Sequence, residues 1–92
     1  MLLYAEVEIF LSSCHSLKDK RSVLKRIKNR LRQTLNVTIA EMEYQELWQR
    51  TCIALATVSE SNEMNHKVLQ QAFDIIDSFP EIERTLTNLE NR

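Results

Sequence analysis

From Leu3 to Leu11 the chain alternates strictly: Leu3, Ala5, Val7, Ile9 and Leu11 fall on one side, Tyr4, Glu6, Glu8 and Phe10 on the other. A period of two marks a strand with one buried face. Ser12-Ser13-Cys14-His15 breaks the pattern. Ser16, followed three places on by Asp19, has the form of a capping box, in which hydroxyl and carboxylate serve free amides at a helix start. The period then becomes helical, and Val23, Leu24, Ile27 and Leu31 define one apolar stripe up to about Thr34. Asn36 is the expected stop, being the residue after glycine that best accepts a left-handed cap.

A second strand is expected over residues 37–44, an interruption from Gln45 to Arg50, and a third strand over 51–59, the two strands forming a hairpin. Ser61 or Asn62 can cap a second helix, with Val68, Leu69, Ala72, Ile75, Ile76 and Phe79 along one side and Pro80 ending it. A last strand, weaker in signal, covers about 82–89. Strand-helix-strand, repeated once, predicts one α+β domain of ferredoxin-like β-α-β-β-α-β order over residues 1–92. Its sheet would be antiparallel, in order 4-1-3-2, with both helices on one face. Chain direction reverses at each element, so the loop after the first strand and the turn between the second and third lie at the same end. His15, Ser16, Lys18 and Arg21 are therefore expected to meet Tyr44, Trp48, Gln49 and Arg50 there.

Composition narrows the function classes. The chain has no glycine, which excludes the glycine-rich loops that wrap phosphates in P-loop and dinucleotide folds. Two cysteines, Cys14 and Cys52, lack paired spacing, and with His15 and His66 they fall short of the usual zinc sites, so reduced thiols and no metal or cofactor are expected. No apolar run approaches the roughly 20 residues needed to span a bilayer. The start reaches Glu6 too early for a signal peptide, and a cytoplasmic protein without membrane partners is the expectation.

The net charge of −1 conceals a sharp division. Residues 16–33 hold eight of the 12 Lys and Arg against one acid, Asp19; that segment is +7 and the remainder −8. On a helix at about 100° per residue, Lys18, Arg21, Lys25, Lys28 and Arg32 form a continuous ridge away from the apolar stripe. Lys18, Lys20 and Arg21 also crowd the helix N-terminus, where the dipole disfavours each cation by roughly a few tenths of a kcal/mol. A polyanion-binding face accounts for this better than a face neutralised by acids from the rest of the fold.

The sheet carries acids and aliphatics rather than the exposed aromatics of an RNA-recognition sheet, so nucleic acid would meet the first helix and not the sheet. Val37 and Ile39 with Ile53 and Leu55 are expected to form an apolar patch on the open face, which makes a homodimer and a monomer about equally expected. Glu41 and Glu43, two apart, are expected on one face of their strand, about 10 Å from Glu6 and Glu8 and too far for a shared metal. His15 beside Ser16 is read as a hydrogen-bonding loop residue rather than half of a catalytic pair. Trp48 is expected to plug the end of the core, the other possibility being a stacking platform beside Arg50.

His15-Ser16-Leu17-Lys18-Asp19-Lys20-Arg21 and Gln45-Glu46-Leu47-Trp48-Gln49-Arg50 resemble the two signature stretches of the small bacterial YlxP-like family, and the resemblance extends over nearly the whole chain. It implies a ferredoxin-like fold. It also implies work linked to RNA or the ribosome, since genes of that family often adjoin those for transcription and translation factors. No catalytic residues come with the resemblance. Ser13-Cys14 stands where many relatives have a glycine, which implies a stiffer loop.

The expectation is thus a non-enzymatic RNA- or ribosome-associated domain, with phosphates on Lys18, Arg21, Lys25, Lys28 and Arg32. The end holding His15, Ser16, Lys20, Trp48, Gln49 and Arg50 would supply specificity. The alternatives are a homo-oligomeric interaction module without nucleic acid and, less favoured, a small enzyme acting on a phosphorylated substrate at the His15/Arg50 end.

Overall fold

The computed structural model describes all residues from Met1 to Arg92. The elements run β1 (Leu2–Phe10), α1 (Leu17–Thr34), β2 (Thr38–Glu43), β3 (Arg50–Val58), α2 (Asn62–Asp77) and β4 (Glu83–Asn91). The strands form one sheet in the order β2-β3-β1-β4, with every pairing antiparallel. This is the expected ferredoxin-like arrangement, read from the other edge.

The alternation of β1 decides the layering. Leu3, Ala5, Val7 and Ile9 are buried toward the helices and join Ile53 and Leu55 of β3 in one core cluster. Val23, Leu24, Ile27 and Leu31 of α1 and Leu69, Ala72, Phe73 and Ile76 of α2 close that cluster. Burying an apolar side chain of this size contributes about 1.5–3 kcal/mol. Four such residues on α1 far outweigh the dipole penalty of cations in its first turn.

The capping box is present with its return bond shifted by one residue. Ser16 Oγ accepts from the Asp19 amide at 3.0 Å, and Asp19 returns a carboxylate oxygen to the His15 amide at 3.1 Å. Ser61 caps α2 in the same way, accepting from Met64 N at 3.2 Å. The end of α1 differs from expectation. Leu35, not Asn36, is the cap, with extended backbone and its amide bonded to the Leu31 carbonyl. The next strand starts so soon that no left-handed reversal is required.

Two corrections concern the sheet faces. Ile39, Ile53 and Leu55 lie in the helix-side core and Val37 packs against it, so the expected open-face patch does not exist. Leu55 pairs with Ala5 and Ile53 with Val7, which fixes their side. The open face of β3 instead carries Cys52, Ala54, Ala56 and Val58. Secondly, a register shift between Glu41 and Glu43 breaks the two-residue period. Glu41 pairs with Ile53 and turns toward the helices, whereas Glu43 pairs with Cys52 on the open face.

Candidate nucleic-acid interface

The solvent side of α1 follows from its buried stripe. With Val23, Leu24, Ile27 and Leu31 held in the core, Lys18, Arg21, Lys25 and Arg32 are exposed and Lys28 is half-buried. Of the eight cations between residues 16 and 33, only two have acidic partners: Lys20 with Glu41 at 3.1 Å, and Arg26 with Glu81. None of the five ridge residues forms an ion pair, nor does Arg30. The −8 of the remaining chain therefore neutralises no ridge cation by direct pairing.

Arg21, Lys25, Lys28 and Arg32 line a shallow groove of about 170 Å³ along α1, with Asn29 and Glu41 also at its wall. Glu41 is the one acid there, and it is already engaged, by Lys20 and by the Thr51 hydroxyl at 3.1 Å. The groove is thus a cationic channel with its single carboxylate satisfied.

Lys20 does not belong to the solvent face. Its side chain is 2% exposed, and its Nζ donates to the carbonyls of Tyr44 at 2.6 Å and Leu47 at 2.9 Å. It pins the β2–β3 turn to the start of α1. Tyr44 is the one residue with a left-handed backbone, at φ 62°. In a chain without glycine, a tyrosine makes this reversal, at a cost of about 1–2 kcal/mol, and Lys20 holds its carbonyl.

The expected convergence at this end is met in part. Gln49 donates to the carbonyls of Ser12 and Cys14, both at 3.2 Å, and the Leu11 amide donates to the Gln49 carbonyl at 2.8 Å. His15 and Arg50 are not brought together. His15 is exposed and bonds only through its backbone. Arg50 pairs with Phe10 in register, so it faces the open side of the sheet, where it bonds Glu8 at 2.8 Å and stacks on the Tyr44 ring at 4.1 Å.

Trp48 corrects the expectation of a core plug, for it is 52% exposed. The reason is that the core is already closed beneath the turn by Leu11, Cys14 and the aliphatic stem of Lys20, all buried. With Phe10, Leu47 and Arg50, Trp48 instead lines an open groove of about 390 Å³ at the end of the sheet. Periodicity and motif spacing do not by themselves single out Phe10 and Leu47. Phe10 falls on the polar side of the β1 alternation, and that misplacement of a large apolar residue is the signal that marks it.

The two thiols lie on opposite sides of the sheet, Cys14 in the helix-side core and Cys52 beneath the open face, and both are free. Burial raises both thiol pKa values; Asp19 and Glu81 add to the effect at Cys14, and Glu6, Glu43 and Glu8 at Cys52. No three His, Cys, Asp or Glu side chains converge in a group able to hold a metal ion. No helix is long and apolar enough to cross a membrane.

Fold and charge together define a small ferredoxin-like α+β domain with one cationic helix face. The sequence model of a family described as a protein of unknown function, DUF503, matches residues 2–89, and the chain belongs to that family. It is 49% identical over 90 residues to the uncharacterised protein YlxP of Bacillus subtilis (strain 168), covering 98% of each chain, in agreement with the resemblance read from the two motifs. Among solved structures, the de novo designed protein Foldit4 superposes with a TM-score of 0.60 at 12% identity, over 100% of this chain and 99% of that one. At that identity the likeness concerns the fold alone.

Proposed function

We propose that the protein binds RNA, free or in the ribosome, through phosphate contacts from α1. The observation that carries this reading is the set of unpaired cations Arg21, Lys25, Lys28 and Arg32 along one groove, continued by Lys18 toward the helix start. An ordinary solvated helix interleaves opposite charges at i, i+4 spacing. Here the repelling cations lie beside one another, and a polyanion removes that repulsion by exchanging its condensed counterions for them. Glu6 and Glu8 on the open sheet face repel phosphate, so the polymer's backbone is directed onto the helix side.

Binding of this kind is read by its salt dependence. For about four engaged phosphates on single-stranded RNA, log affinity should fall against log salt with a slope of roughly −3. Titration with RNA and co-sedimentation with ribosomal fractions at graded salt measure it. Absence of binding at low salt would remove the nucleic-acid reading.

A further inference from the structure

The turn that Lys20 fastens to α1 carries an exposed aromatic groove at the end of the cationic ridge. Its walls are Trp48, 52% exposed, Leu47, 48%, and Phe10, 40%, with Arg50 and Glu46 at the rim. Its volume of about 390 Å³ falls at the lower end of the range of small-molecule sites, about 300–1,000 Å³. The core is complete without these side chains, since Leu11, Cys14 and Lys20 already seal that end. The turn is also held in a form that its sequence resists. Tyr44 keeps φ 62° while Lys20 holds its carbonyl and Arg50 covers its ring. These contacts hold the backbone of the turn in a sparsely populated region.

Position says what that surface meets. Lys20 Nζ lies 2.6 Å from the Tyr44 carbonyl and 3.1 Å from Glu41, and Glu41 lines the same groove as Arg21, Lys25, Lys28 and Arg32. The helix-side channel therefore reaches the base of the turn, and the aromatic groove opens around the end of the sheet, on the side of Phe10 and Arg50. A cationic track leading to flat aromatic side chains is the combination that binds single-stranded nucleic acid: the cations follow the backbone while the rings stack unpaired bases, whatever their sequence. A duplex, with its bases already stacked, has nothing to offer such a surface.

We infer that the Phe10–Trp48 groove is a base-stacking subsite, which makes single-stranded rather than double-stranded RNA the polymer this domain selects. The inference rests on the phosphate reading of α1. Trp48 is the indole contact and Phe10 the opposing wall.

The chain's single tryptophan is its own reporter. Intrinsic fluorescence is followed while the protein is titrated with a short single-stranded oligoribonucleotide and, separately, with inorganic polyphosphate, which has charge but no bases. Both should bind, and only the RNA should quench Trp48. Trp48→Ala should weaken the single-stranded RNA complex by about 5- to 150-fold, the loss of one base stack, and leave polyphosphate affinity unchanged. Trp48→Phe should restore most of the loss. RNA binding without quenching, with Trp48→Ala equal to the unmodified protein, would overturn the stacking subsite and leave the phosphate ridge standing. Failure to bind either polymer would overturn the ridge and the subsite together. A sedimentation change in Trp48→Ala from dimer to monomer, with RNA affinity unaltered, would show that the groove receives a second copy of the chain and would also overturn the subsite.

Discussion

The Nζ of Lys20 lies 2.6 Å from the Tyr44 carbonyl, 2.9 Å from that of Leu47 and 3.1 Å from Glu41, with its side chain 2% exposed. A buried ammonium is tolerable only when its donors and charge are both answered, and here they are. Lys20→Met keeps the length of the stem and removes the charge. It strands two turn carbonyls and the Glu41 carboxylate, and it frees Tyr44 to leave its strained backbone. The expected loss is about 2 to 4 kcal/mol, read as a lower urea midpoint at an unchanged slope. A change under about 0.5 kcal/mol, ordinary for a surface lysine, would contradict the anchoring role. The thiols give a second test at this scale. Cys14 and Cys52 are buried with raised pKa values, so thiol reagents at neutral pH should label the folded protein far more slowly than the protein in urea. Equal rates would show that one or both are accessible.

For each element, what is legible in the sequence depends on whether its signal is local. The start of α1 can be read because the capping box needs only Ser16 and Asp19, and its buried stripe because Val23, Leu24, Ile27 and Leu31 repeat at helical spacing. The ridge follows as the complement of that stripe. The irregularity in β2 is not legible, since nothing in Glu41-Met42-Glu43 announces an extra residue; Glu41 keeps the helix side that Ile39 sets, where Lys20 and Thr51 bond it, and Glu43 is the residue that the shift sends to the open face. Lys20 reads as one more cation for the same reason: its partners lie 24 and 27 residues away. The sequence does not place Trp48, because burial of a lone tryptophan is a statistical expectation and only the packing shows that the end of the core is already full.

One ion pair ties α1 to the segment after α2. Arg26 bonds Glu81 and lies 5.9 Å from the Phe79 ring, and this hydrogen bond holds the Glu81 carboxyl below its ordinary range. A lowered carboxylate pKa contributes stability that is fully present above the unfolded value, about 4.3, and is lost as pH falls through the folded value. Glu81→Gln should therefore be less stable than the unmodified protein at neutral pH, and the gap should close in acid. Thermal unfolding across that range measures it. A gap that stays constant or widens as the pH falls would contradict the assignment.

At the scale of the whole molecule, positive charge is concentrated on one helix. The +7 segment lies on one helix, and Glu6, Glu8 and Glu43 lie across the sheet from it. The core between them is complete without any of the ridge cations. Binding can therefore be altered without altering the fold, and the most direct test uses that separation. Lys25 and Lys28 are replaced together by Gln, which keeps helix propensity and leaves Val23, Leu24, Ile27 and Leu31 in place. Affinity for single-stranded RNA is then measured across a salt series, with circular dichroism confirming the fold. The phosphate ridge predicts a stably folded double variant that binds more weakly, with the salt slope flattened by about 1 to 1.5 units. An unchanged affinity and slope in that folded variant would contradict it.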